Sequence, residues 1–191
     1  MKTQSVALFA SGSGSNAVNL VQYFSAHEHI HISLLVCNKP DAPVVEKVKA
    51  LGVEVLISGN ESFEEGNDIT AELASRNINW IVLAGFLRKL PAVLVHEYNN
   101  RIINIHPALL PKFGGKGMYG MFVHKAVVEA KETESGITIH LVNEEFDKGE
   151  ILEQYTVAVD ETDSPEAVAE KVQELEHRYF PYIVERTIKH D

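Results

Sequence analysis

The chain has 191 residues, with 17 Lys+Arg against 27 Asp+Glu and a formal net charge of −10 with His neutral. That length suits one domain of about 100–200 residues, and 45 % hydrophobic residues supply a core, which excludes a disordered chain. The acidic balance argues against a nucleic-acid binder, which needs a basic face to displace counterions, but a small anion held by local amides remains compatible with it. Cys37 is the only cysteine, so no intramolecular disulfide forms and a reducing compartment is expected. The apolar run at 6–10 is too short for a secretory segment, and the run at 80–87 falls far short of the roughly 20 residues that span a bilayer. A soluble, cytoplasmic protein without a membrane partner is the expectation.

In chain order, residues 5–10 (SVALFA) form a short apolar strand, 11–16 (SGSGSN) turn, and 17–26 have helical spacing through Val18, Val21 and Phe24. Residues 31–37 form a second strand, and Asp41-Ala42-Pro43 opens a helix with Asp41 as cap and an early proline. A third strand at 53–57, a helix at 63–76 and a fully apolar fourth strand at 80–84 follow, then a short helix at 91–98 and a fifth strand at 101–105. Buried runs alternating with helices predict an α/β fold, a mostly parallel sheet covered on both faces.

The texture changes after Pro111. Gly114, Gly115, Gly117 and Gly120 fall within seven residues and mark a mobile loop. A helix at 122–131 and two strands at 136–142 and 151–159, joined by the acidic loop 143–150, lead to two closing helices at 164–177 and 182–189, the first capped by Ser164 with Pro165 behind it. No linker interrupts the chain, so one domain over 1–191 is expected.

Three segments carry chemistry. Gly12-Ser13-Gly14-Ser15-Asn16 joins a strand to a helix, where successive N–H groups and the helix N-terminus suit a phosphate. It lacks the Gly-Lys-Ser/Thr of a Walker A loop. Gly12-x-Gly14-x-x-Ala17 formally matches a dinucleotide fingerprint, but the second strand ends in Cys37-Asn38-Lys39-Pro40, with no acid for a ribose hydroxyl. A tight turn that binds nothing is the bland alternative.

Asn104-Ile105-His106-Pro107 ends the fifth strand. Side chains two apart share a face about 7 Å apart, so Asn104 and His106 project together, and Pro107 ends the ladder. An amide donor beside an imidazole suits an oxyanion that forms and must be protonated; alone, the pair is a weak signal and core hydrogen bonding is the better reading. In Glu144-Glu145-Phe146-Asp147-Lys148-Gly149, one carboxylate can reach that imidazole and raise its pKa, or the string is a solvated turn. The alternation His27, His29, His31 lacks a fourth metal ligand. His124, His140, His177 and His190 share no pattern, His96 reads as packed or exposed, and Cys37 as a small core residue.

Taken together, SGSGSN, LAGFLRKL (83–90), NIHPALLP (104–111), GITIH and DKG (within 136–149) and LEHRYFP (175–181) resemble, in order and spacing over essentially the whole chain, the folate-dependent glycinamide ribonucleotide formyltransferases. The resemblance implies transfer of a formyl group from the co-substrate 10-formyltetrahydrofolate to the amine of 5′-phosphoribosylglycinamide in purine biosynthesis, without a metal. It implies that Asn104, His106 and Asp147 are catalytic. Gly14, Ser15 and Asn16 would bind the phosphate and Glu176 the ribose, while Leu87, Arg88, Lys89 and Leu90, with Asn104, would line the folate pocket. Family members commonly carry an arginine before the fourth strand, whereas 60–67 (NESFEEGN) has none, and Lys89 stands where an apolar residue is usual. Methionyl-tRNA formyltransferase would add a basic tRNA-binding domain, and formyltetrahydrofolate hydrolase a regulatory domain before the first strand; neither is expected here. An NAD-dependent oxidoreductase and a non-catalytic nucleotide-binding module leave Asn104, His106 and Asp147 unexplained. Small molecules are the expected partners, and apolar strand edges leave a homodimer open.

Overall fold

The computed structural model describes residues 2–59 and 61–190, so Asn60 of the 60–67 stretch lies outside the described residues. Seven strands form one sheet: β1 (Gln4–Ala10), β2 (Ile30–Cys37), β3 (Glu54–Ile57), β4 (Trp80–Leu83), β5 (Ile102–His106), β6 (Glu134–Leu141) and β7 (Ile151–Ala158), in the order β3-β2-β1-β4-β5-β6-β7. The first five run parallel. β6 and β7 add on antiparallel to β5 and to each other. This is the α/β, mostly parallel sheet expected from the alternating pattern.

Successive side chains of a strand point to opposite faces, and β1 divides accordingly. Val6, Leu8 and Ala10 pack with α1 (Ser15–Phe24), α2 (Pro43–Lys49), Val127 of α6 (Met121–Glu129) and α7 (Pro165–Lys189). Ala7 and Phe9 face α4 (Asn67–Ser75) and α5 (Ala92–Glu97) through Ile69, Leu73, Leu94 and Val95. Fully burying side chains of this size contributes about 1.5–3 kcal/mol each, so the two apolar layers hold the sheet as a stiff platform for what lies at its edge.

Three expectations are corrected. The helix at 63–76 is two, α3 (Ser62–Glu65) and α4, broken at Gly66, whose φ is 79°. A Cβ at Gly66 would lie 2.4 Å from Pro91 Cγ, so the chain can cross Pro91 there only as glycine. The two closing helices are one: α7 runs unbroken through Pro181. A proline inside a helix forfeits one hydrogen bond, but Phe180, Ile183, Val184 and Ile188 are buried against the sheet and keep the axis in place. Ser164 caps α7 as expected, its Oγ accepting from the Ala167 N–H at 3.2 Å, with Pro165 in the first turn. At α2 the cap position falls to Ala42 without a side-chain hydrogen bond, and Asp41 is exposed; Pro43 alone supplies the start signal. Among the described residues no helix is long and apolar enough to cross a membrane.

Candidate active site

β5 buries Ile103 and Ile105 on the α7 side, so Asn104 and His106 point to the opposite side. The antiparallel register sets His140 of β6 directly across from Asn104, and Thr138 across from His106. Asn104 Nδ2 lies 3.0 Å from His140 Nε2. His140 Nδ1 lies 2.7 Å from the Leu141 carbonyl, which can only accept, so Nδ1 carries a hydrogen and Nε2 is free to accept from the Asn104 amide. One N–H of Asn104 is thereby committed and the other remains for a ligand.

Asp147 enters from the 142–150 loop in a left-handed conformation, φ 55°, which Asp tolerates better than most residues. Its Oδ2 accepts from the Gly115 N–H at 2.8 Å and lies 3.6 Å from His106 Nδ1, while Oδ1 lies 3.7 Å from His140 Nε2. Burial pushes this carboxyl up, but His140, the His106 imidazole and the Gly115 N–H outweigh it and hold Asp147 below its ordinary value. The neighbouring carboxylates turn elsewhere: Glu144 pairs with His96 at 2.8 Å and Glu145 with Lys148 at 2.6 Å.

His106 is 4 % exposed, and its Nε2 donates to the Phe113 carbonyl at 2.8 Å. Both ring nitrogens therefore face acceptors, an arrangement that the imidazolium satisfies fully. Burial nevertheless pushes the ring below its ordinary pKa, against the opposing pull of Asp147 and the Phe113 carbonyl. A carboxylate neighbour was expected to raise this pKa; desolvation outweighs it. The free ring is neutral, with Nδ1 as its basic atom and a counter-charge already in place for the proton.

These groups open on a cavity of about 600 Å³, within the range of small-molecule sites. Gly14–Asn16 at the start of α1, the segment 87–90 after β4, and Glu176 of α7 line the same space. Gly14 (φ 76°) precedes the first turn of α1, which carries no acidic residue to compete with an anion. A Cβ on Gly14 would fall 2.3 Å from Val44 Cγ2. Asn16 Nδ2 donates to Glu176 Oε2 at 2.8 Å, and Gln173 Nε2 reaches Ser15 Oγ at 3.3 Å. Burial pushes the Glu176 carboxyl up to about 7, with the Asn16 bond opposing. A second cavity of about 530 Å³ shares Leu87, Arg88, Lys89 and Leu90 with the first.

The profile of the formyl transferase family matches residues 4–184. The chain belongs to the formyl transferase family. It is 39 % identical over 189 residues to a chloroplastic phosphoribosylglycinamide formyltransferase of Arabidopsis thaliana, covering 96 % of this chain and 65 % of that protein. The phosphoribosylglycinamide formyltransferase of Bacillus subtilis is 33 % identical over 187 residues, covering 95 % and 93 %. A solved phosphoribosylglycinamide formyltransferase from Bacillus halodurans superposes with a TM-score of 0.87 at 34 % identity, covering 96 % of this chain and 94 % of that one. The chain thus spans just under two thirds of the plant relative's length and nearly all of the Bacillus ones.

In this formyl transferase every residue singled out in the sequence, Gly14, Ser15, Asn16, Leu87, Arg88, Lys89, Leu90, Asn104, His106, Asp147 and Glu176, lines one cavity. Leu87 and Lys89 are exposed, Leu90 is buried, and Arg88 Nε is sealed without a hydrogen-bond partner. His140 closes the GITIH segment, but that segment assigns it no role, and nothing in the sequence marks the Phe113 carbonyl. The signal available for His140 is its place two residues beyond Thr138 on one face of a strand, legible only once that strand is paired with β5. The histidines near the β2 start serve other ends, His27 Nε2 lying 3.3 Å from Glu185 Oε1. Among the described residues no three His, Cys, Asp or Glu side chains are grouped to hold a metal ion.

Proposed function

We propose that this chain transfers the formyl group of 10-formyltetrahydrofolate to the primary amine of 5′-phosphoribosylglycinamide, giving formylglycinamide ribonucleotide in purine biosynthesis. The observation that carries the reading is the meeting of Asn104, His106 and Asp147 on the wall of one cavity that also holds the α1 N-terminus and the 87–90 segment.

The nucleotide phosphate sits on the N–H groups of Gly14, Ser15 and Asn16, and Glu176 takes the ribose hydroxyls. Leu87, Arg88, Lys89 and Leu90 line the folate side. When the amine attacks the formyl carbon, negative charge grows on the formyl oxygen, and the uncommitted N–H of Asn104 stabilises it. His106 Nδ1 takes the amine proton, and Asp147 stabilises the imidazolium so formed. The same proton then goes to the departing folate nitrogen, which leaves as a neutral amine. The glycine-rich loop at 114–120, already tied at one end by the Gly115–Asp147 contact, orders on nucleotide binding. A buried, free Cys37 fits a reducing compartment, and we assign the protein to the cytoplasm.

The test follows the absorbance of a 10-formylfolate donor mixed with the nucleotide and the enzyme, beside His106→Ala. Turnover that requires the nucleotide and disappears in the variant supports the reading. Donor loss without the nucleotide identifies a hydrolase instead.

A further inference from the structure

His124 is the fourth residue of α6, the helix that follows the glycine-rich loop. It is 6 % exposed, yet it lines the cavity that holds His106. Its ring makes no hydrogen bond among the described residues, and its Nδ1 is shut off from solvent without a partner. Buried polar groups are paired in the great majority of cases, and an orphaned N–H is rarer than an orphaned acceptor. The sealed Nδ1 therefore keeps the lone pair, and the ring hydrogen sits on Nε2, the nitrogen left to face the cavity. Burial, reinforced by the nearby His106, holds this imidazole below its ordinary pKa, so it is a neutral donor.

A neutral donor buried in a cavity wall selects an uncharged acceptor. α6 packs on α7, and α7 contributes Val172, Gln173 and Glu176 to the same cavity. A nucleotide whose phosphate rests at the α1 N-terminus, and whose amine reaches Asn104 and His106, runs along that wall. Its phosphate and ribose are provided for by Gly14–Asn16 and Glu176. The acceptor left between them and the amine is the carbonyl of the linking amide. We propose that His124 is a substrate-binding residue that donates its Nε2–H to the amide carbonyl joining the ribose to the amine-bearing carbon; this rests on the function proposed above. Such a contact makes the site specific for a glycinamide rather than for ribose phosphates at large, because a pocket donor without its acceptor is a penalty for the wrong ligand.

The test is calorimetric, with phosphoribosylglycinamide and ribose 5-phosphate titrated separately into the wild type, His124→Phe and His124→Gln. Phenylalanine keeps the volume and removes the donor; glutamine restores one. Loss of one hydrogen bond predicts about tenfold weaker glycinamide-nucleotide binding in His124→Phe, unchanged ribose 5-phosphate binding, and partial recovery in His124→Gln. Equal weakening of both ligands, or of neither, overturns the proposal. Should His124→Phe fail to fold, nitrogen-15 NMR of the wild type decides. The His124 Nε2–H, assigned by its absence from His124→Gln, must shift and slow its exchange with the glycinamide nucleotide but not with ribose 5-phosphate. The same response to both ligands overturns the idea. If the wild type binds neither ligand, the proposed function itself falls, an outcome distinct from a failed His124 contact.

Discussion

Asn104 and His140 stand directly opposite each other on antiparallel strands, and the 3.0 Å contact between Asn104 Nδ2 and His140 Nε2 decides which way the amide points. Without it, the Asn104 side chain rotates freely and its second N–H no longer aims at one point. His140→Leu is expected to lower kcat about 10²-fold, the scale of a misplaced catalytic group, with both KM values within a few-fold of wild type. Steady-state kinetics and circular dichroism check this; a normal kcat in a folded variant removes His140 from the mechanism.

Asn104→Ala deletes the oxyanion donor itself and is expected to cost about 10²–10³ in kcat. Because His140 acts through Asn104, the double variant Asn104→Ala/His140→Leu should be no slower than Asn104→Ala alone. Additive losses would show that His140 has a separate role, through its 3.7 Å approach to Asp147.

His106 is held below the ordinary histidine pKa mainly by burial, while Asp147 pulls it back up. Its titration in the free enzyme therefore lies below 6.5. Removing the opposing charge in Asp147→Asn moves it lower still. Histidine NMR titrations of the two proteins read this directly; an upward movement in Asp147→Asn would contradict the assigned balance of burial and charge.

Glu176 is raised by burial from 4.5 to about 7. Between these values the folded chain holds a proton that the unfolded chain has lost, so this group's contribution to stability falls as pH rises from 4.5 to about 7. Thermal melts across that window should decline less with pH in Glu176→Gln than in the wild type. Ribose hydroxyls donating to the carboxylate favour its charged form, so nucleotide binding near pH 6.5 should release a proton. Calorimetry in buffers of different ionisation enthalpy measures this, and the release should vanish in Glu176→Gln.

Gly149 tests the loop that delivers Asp147. An added Cβ would lie 1.6 Å from the Leu141 carbonyl oxygen and 3.4 Å from His140 Nδ1. Since that carbonyl accepts from His140, Gly149→Ala strains the backbone and disturbs the site together. A loss of about 1–3 kcal/mol and a fall in kcat should appear in the same variant, by denaturant melts and turnover.

The parallel half of the fold is legible because its strands are continuous apolar runs, such as Trp80–Leu83, and each burial pattern needs only local sequence. α7 is less legible, because Pro181 is a stop signal locally, and the apolar residues that override it act through contacts with a distant sheet. In the site, the spacing of two puts Asn104 and His106 on one face of β5, and the segments around them, rather than the pair itself, mark them out. The carboxylate is not fixed by spacing: Glu144, Glu145 and Asp147 differ only in where the loop turns them, which the left-handed Asp147 and the partners of the other two, His96 and Lys148, decide. His140 is a matter of register across 36 residues, information that resides in strand pairing and in no segment of the chain.

That register has an evolutionary corollary. β5 and β6 are hydrogen-bonded neighbours from Ile103↔Leu141 to His106↔Thr138, and residues 107–133 are a tether slung between them. Doubling the length of a flexible loop costs only about 0.6 kcal/mol, so insertions at 116–120, between the Phe113 and Gly115 contacts to the reaction centre and the start of α6, can remodel the substrate wall while His106 and Asp147 keep their geometry. One residue deleted within β6 would instead turn His140 to the opposite face. The fold thus separates a part that tolerates revision from a part that tolerates none, and new acceptor preferences would be expected to arise by drift in the tether.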